Sequence, residues 1–262
     1  MRRKGTTGGG GTIKRWGLPA LLLVVLIGAW QVAANTGAIA GALHIESFLV
    51  PSPFEIAEAL WQNRSLLAEN AWVTLKEVLL GFGCALLAGL AFAVALHLSE
   101  TMRRAFYPLV VASQTIPIIV IAPILVVWFG YGIGPKLAIV ALICFFPITV
   151  NTLDGLRSVD PDATKMMRTL DASRRQTFLR VEAPTALPYA FSGAKIAVAV
   201  AVIGAVFGEW AGSDSGLGHL MLQDNAQLET ARLFAAVAVL SAMAIALFGF
   251  LALAERRLVT WR

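Results

Sequence analysis

Charge is scarce in this sequence. Asp, Glu, Lys and Arg make up 14% of the 262 residues, against 58% hydrophobic residues, and the mean hydropathy is +0.74. That balance excludes an ordinary soluble domain and points to a polytopic membrane protein. Cysteine is nearly absent. Cys84 and Cys144 both lie inside apolar runs, which argues against a disulfide framework or a thiolate metal site and reads them as packing residues. The three histidines, His44, His97 and His219, are scattered and form no H-E-x-x-H pair. The run Gly8-Gly9-Gly10-Gly11 lacks the Lys-Ser/Thr and the preceding strand of a nucleotide-binding loop. No catalytic constellation is visible, so the chain reads as a non-enzyme, and any ATP-driven step needs another polypeptide. The net charge of +5 comes without a basic helix or an aromatic platform, which argues against nucleic acid.

What the chain does have is long apolar runs. Residues 1–16 read as a disordered, Gly-rich basic tail. Arg2-Arg3 lies too far from the first apolar run for a twin-arginine signal. Residues 17–34 give the first span, rising roughly 27 Å as a helix; Ala38-Ile39-Ala40 keeps open a cleaved signal peptide. Residues 35–73 are mixed, with a helix predicted over 54–61 after Leu49-Val50-Pro51-Ser52-Pro53. Further spans are predicted over 74–98, 105–129, 137–153, 189–211 and 231–254, with Gly81, Gly83 and Gly89 allowing close helix contact in the second. The third carries Pro108, Pro117 and Pro123, so it should be kinked. Residues 212–230 read as a polar outer loop. Counted by side, sixteen of the 21 Lys and Arg fall with the termini and the 154–188 loop, and four on the other side. That asymmetry predicts six spans with both ends cytoplasmic.

The chain is organised around one polar stretch, residues 160–188, DPDATKMMRTLDASRRQTFLRVEAPTALP. Asp160 can cap a helix that opens on Pro161. Ala163, Met166, Met167 and Leu170 fall at helical spacing as one apolar stripe. Asp171-Ala172 should break that helix, and Ser173 with Gln176 forms a capping box for a second short helix ending at Pro184.

This stretch resembles the cytoplasmic loop of ABC-importer permease subunits, whose pattern is E-A-A, three residues, G, nine residues, I, one residue, L-P. Lys165-Met166-Met167 stands where E-A-A is usual, Asp171 replaces the Gly, Val181 the Ile and Ala183-Pro184 the L-P. The flank R-T-L-D-A-S-R-R-Q-T-F is closely similar, and I-P-I-I-V-I-A-P-I-L-V-V-W-F-G-Y-G from Ile116 resembles the nitrate, sulfonate and taurine branch. The run from Val181 and the closing E-R-R-L-V-T-W look most like permeases for thiamine-precursor aminopyrimidines, with riboflavin, sulfonate, taurine or nitrate permeases as alternatives.

The resemblance implies an all-α, six-span type I ABC-importer permease fold over residues 17–262, with a coupling loop at 154–188. It implies a bacterial inner-membrane location, a second permease copy as a homodimer, two copies of an ATP-binding subunit that carries ATP and magnesium, and an extracytoplasmic solute-binding protein. No cofactor or metal on this chain is implied. ATPase docking falls on Ala163, Met166, Met167, Leu170, Asp171, Ala172 and Ser173; the alternative is that the Met stripe packs beneath its own bundle. Ser113, Gln114 and Thr115 either line a solute path or satisfy carbonyls freed at Pro117. Glu209, near the outer end of the fifth span, is a path candidate as an intramembrane acid, with solvation or a basic partner as the other reading. Lys195 is expected to snorkel, and Trp16, Trp128 and Trp261 to anchor at interfaces. A secondary transporter is the rival of another class, and would more often show mid-bilayer ionisable residues and internal symmetry.

Overall fold

The computed structural model describes the backbone of residues 11–261 and the side chains of residues 17–261. The predicted tail therefore lies outside the described residues up to residue 10, while residues 11–16 open a helix, α1 (Gly11–Asn35). Among the described residues there are helices and turns and no strand.

The chain divides into two compact units, residues 1–64 with 224–235, and residues 65–223 with 236–262. In the first, α1 is followed by α2 (Ala38–Leu43), a 3₁₀ turn at Ser47–Leu49 and α3 (Pro53–Gln62). Ser52 closes a capping box with Glu55, whose Oε2 accepts from the Ser52 N–H at 2.7 Å. Gln31 Oε1 accepts from the Phe54 N–H at 2.9 Å, which ties α1 to the start of α3. The side chains from Leu18 to Ile27 are exposed, so α1 presents apolar surface that its own unit does not cover.

The second unit carries α4 (Arg64–Leu98), α5 (Glu100–Ser113), α6 (Ile118–Phe129), α7 (Ile133–Arg157), α8 (Pro161–Thr169), α9 (Arg174–Thr177) and α10 (Ala183–Gly212). α11 (Leu217–Gln227) and α12 (Thr230–Leu258) complete the chain, and each belongs in part to both units. The core of the second unit is the seam between α7 and α10. Ala197, Ala201 and Ala205 are fully buried on α10 at a spacing of four, against Val140, Cys144 and Ile148 of α7. Gly193 lies against the Pro147 carbonyl and Asn151, where a Cβ would come within 2.5 Å of the oxygen. Gly81 and Gly89 bring α4 onto Val140 and Ile148, whereas Gly83 faces open space and plays no such part. Cys144 is packed with its Sγ 3.3 Å from the Ala197 carbonyl; Cys84, expected to pack, is exposed.

Among the described residues five helices are long and apolar enough to cross a membrane: residues 17–35, 64–98, 133–157, 174–212 and 230–258. The third predicted span differs from a single kinked helix. α5 and α6 are separate limbs bent by 101°. Pro117 lacks the N–H that would continue the ladder and drives the preceding residue out of helix. The limbs, 14 and 12 residues long, rise only about 21 and about 18 Å, short of the roughly 30 Å hydrocarbon layer. Taken together as one broken span, this pair makes the number of spans six; counted as a re-entrant loop, it leaves five.

Candidate functional site

The polar stretch begins as its residues dictate. Asp160 Oδ1 accepts from the Asp162 N–H at 2.8 Å, and Pro161 takes the first helical position, where its missing donor costs nothing. At the far end Asp171 adopts φ 52. The Ala172 N–H donates to Met167 O at 3.0 Å and the Asp171 N–H to Arg168 O at 3.1 Å, the paired bonds of a Schellman stop. The capping box comes next: the Ser173 N–H donates to Gln176 Oε1 at 2.7 Å, and the Gln176 N–H to Ser173 Oγ at 3.2 Å. Two caps back to back fix the angle between α8 and α9.

Two expectations change here. The second helix does not end at Pro184; residues 174–212 form one continuous helix. A π turn at Phe178–Glu182 explains it. The Ala183 N–H reaches Phe178 O, and the widened turn relieves the clash of the Pro184 ring with the preceding turn. The predicted stripe also splits. Met166 and Leu170 are 63% and 66% exposed, while Ala163 and Met167 are half-buried. Asp171 and Ser173 are exposed and Ala172 half-buried at the turn. The docking candidates thus form an outward ridge of Met166 and Leu170, with Ala163 and Met167 leaning inward.

The π turn places Glu182, 8% exposed, so that its Oε2 lies 2.9 Å from His97 Nε2 at the end of α4. Neither residue stands out in the sequence, because the pair is 85 residues apart. Lys195 does not snorkel freely; its Nζ pairs with Glu255 Oε2 at 2.7 Å and joins α10 to α12. Trp128 and Trp261 are exposed, as interface anchors would be, and the Trp16 side chain lies outside the described residues.

At the α5–α6 break, Ser113 Oγ donates to Val110 O and Thr115 Oγ1 to Ala112 O, both at 2.7 Å. These hydroxyls serve carbonyls left over at the helix end. Gln114 is exposed, and its side chain makes no hydrogen bond to the described residues. It lines a recess of about 180 Å³ with Ile116, Ile121, Leu142 and Ile143.

Glu209 is 1% exposed. Thr74 Oγ1 donates to its Oε1 at 2.6 Å, and the Gly218 and His219 N–H groups donate to its Oε2. It therefore caps α11 from the neighbouring helix. Beside it Lys136 Nζ, 7% exposed, lies 2.6 Å from both Glu77 Oε1 and Ser213 Oγ. Asn70 Oδ1 accepts from the Gly216 N–H at 2.8 Å. The 213–218 turn is clamped to α4, α7 and α10 together. Glu77 and Lys136 are legible in the sequence only as a lone acid in an apolar run and a lone turn lysine. No group of His, Cys, Asp and Glu among the described residues could hold a metal.

The architecture has counterparts. A subunit of the inward-facing MetNI methionine ABC transporter superposes with TM-score 0.62 over 76% of this chain and 97% of that one, at 20% identity. An amino acid ABC transporter chain superposes with TM-score 0.60 at 18% identity, over 76% and 96% of the two chains. By sequence the chain is 37% identical over 245 residues to the formylaminopyrimidine transport permease ThiX of Halalkalibacterium halodurans, covering 93% of this chain and 95% of that one. It is 35% identical to the riboflavin transport system permease RibX of Chloroflexus aurantiacus, over 94% and 90% of the two chains. A putative aliphatic sulfonates permease of Bacillus subtilis is 28% identical, over 94% and 88%. The model of the binding-protein-dependent transport system inner membrane component matches residues 85–260. With more than half of the chain inside that match, the protein belongs to this family: it is a multi-pass ABC-importer permease subunit of type I fold, not an enzyme, and ATP hydrolysis is done by a separate ATPase.

Proposed function

We propose that the transported solute is an aminopyrimidine precursor of thiamine. The observation that carries this is the 37% identity to the formylaminopyrimidine permease, which extends over nearly the whole of both chains. Two permease copies form a homodimer in the bacterial inner membrane, each with both termini cytoplasmic. A solute-binding protein delivers cargo from outside. Two ATP-binding subunits, holding ATP and magnesium, dock on residues 160–173 of the two copies through Met166 and Leu170. Their closure moves α8. The rigid double cap passes that motion into the continuous 174–212 helix, and the His97–Glu182 bond passes it to α4. Gln114 lines the solute path, since among the described residues it is the one polar side chain at the α5–α6 break with no partner in its own helix.

A riboflavin permease at 35% identity supports a second reading, in which a larger heterocycle is carried. Uptake by cells that express the full complex and lack other permeases separates them. Labelled formylaminopyrimidine should accumulate and unlabelled riboflavin or taurine should not compete. Accumulation of riboflavin or taurine in its place would contradict the assignment.

A further inference from the structure

Six cations of the second unit are already partnered. Lys136, Lys195 and Lys165 pair with Glu77, Glu255 and Asp162, and Arg103 and Arg104 share Glu100. Lys76 lies over the Trp72 ring. Four arginines of the polar stretch are not, nor are Arg157, Arg256 and Arg257, among the described residues. Among the described residues no carboxylate lies within ion-pairing distance of Arg168, Arg174, Arg175 or Arg180.

Two of these, Arg168 from the last turn of α8 and Arg174 from the first turn of α9, wall a recess of about 190 Å³. Thr164, Ala172 and Thr177 complete its lining, and both threonine hydroxyls donate back to their own backbone, to Pro161 O and Ser173 O. Glu182 also borders it, but its Oε2 is engaged by His97. The walls are fixed relative to one another, because the Schellman stop and the capping box stand between the two arginines. The recess thus brings together two arginines that have no ion pair within the described residues and one carboxylate, Glu182, already held by His97, beside the exposed ridge of Met166 and Leu170.

We infer that this recess seats a carboxylate side chain of the ATP-binding subunit, so that the partner groove is apolar where it takes Met166 and Leu170 and acidic at the side facing Arg168 and Arg174. The inference rests on the proposed docking of that subunit and adds the chemistry of the partner surface. Guanidinium groups bind carboxylates through two parallel hydrogen bonds. In open solvent such pairs contribute little, but the adjoining apolar contact excludes water and salt from the recess. The apolar ridge beside the arginines favours a protein occupant over a lipid headgroup.

The test measures binding of the ATP-binding subunit that co-purifies with the chain, using permease in zwitterionic nanodiscs at rising salt. Wild-type affinity should fall as salt rises. Arg168→Gln/Arg174→Gln should weaken binding about tenfold at low salt and flatten the salt dependence. Arg168→Lys/Arg174→Lys, which keeps the charge, should restore the salt dependence. Lys165→Gln, whose lysine is already paired, should change little. Unaltered affinity and salt slope in the Gln variant would overturn the inference, as would retained ATPase binding with lost preference for nanodiscs containing phosphatidylglycerol. If wild-type permease binds no ATP-binding subunit at any salt, the docking proposal falls and takes the inference with it. If the Gln variant does not fold, a Lys variant with no salt dependence overturns it.

Discussion

Glu182 Oε2 and His97 Nε2 lie 2.9 Å apart, and that contact is a direct tie between the polar stretch and α4. It exists because the π turn places Glu182 toward α4. His97→Phe should leave ATPase docking intact, since Met166, Leu170, Arg168 and Arg174 are untouched, and Glu182→Gln, at the border of the arginine recess, should keep docking through Met166 and Leu170. Each should lower the melting midpoint modestly, by the equivalent of about 1–3 kcal/mol for a lost, mostly buried charge-assisted bond. Uptake per ATP hydrolysed should fall several-fold. Measuring transport and hydrolysis together checks this; unchanged stoichiometry in both variants would remove the pair from the transmission path.

Glu209 and Gly216 form a second dependent pair. Gly216 has φ +114, and a Cβ there would overlap the Glu209 carboxylate. Gly216→Ala should therefore destabilise by more than about 1 kcal/mol, from backbone strain and loss of the cap together. Glu209→Ala should release the 213–218 turn, read as faster amide exchange at Gly218 and His219. Exchange that stays at the wild-type rate would show that α11 is held by other contacts.

The split of the Met stripe separates two residues that spacing alone joins. Met166→Asp places a charge on the exposed ridge, so folding should be unaffected and co-purification of the ATPase lost, by about a thousandfold in affinity if the contact is dry. Met167→Asp alters a half-buried position within the chain and should lower expression or the melting midpoint as well. Equal behaviour of the two variants would contradict the assigned faces.

Membrane orientation is checked by labelling. In a background with Cys84 and Cys144 replaced, a reagent applied from outside should modify Asp214→Cys and leave Arg174→Cys untouched. The opposite pattern would contradict the proposed topology, either because the whole chain is inverted or because the bent α5–α6 pair does not cross.

Local signals are readable from residues alone. Asp160-Pro161, the Ser173–Gln176 box and the Ser52–Glu55 box act within three residues, and each forms as its residues dictate. The same holds for the long apolar runs other than 105–129, which breaks into two limbs; the boundaries of the others move only as polar ends join the helices. The features that escape depend on distant partners. The 174–212 helix passes Pro184 only through a π turn, which has no simple residue signature. Glu209 reads as a path acid from its own segment, and as a helix cap once residues 74 and 218 stand beside it. Lys195 reads as a snorkelling residue until Glu255, 60 residues away, is placed next to it.

The central claim is that this permease moves solute only when a partner hydrolyses ATP. The decisive measurement is solute accumulation in proteoliposomes holding the permease and its ATP-binding subunits, with ATP inside and the solute-loaded binding protein outside. Accumulation should require ATP with magnesium, vanish when ATP is replaced by a non-hydrolysable analogue, and ignore imposed proton or sodium gradients. Accumulation driven by an ion gradient in the absence of ATP would contradict it.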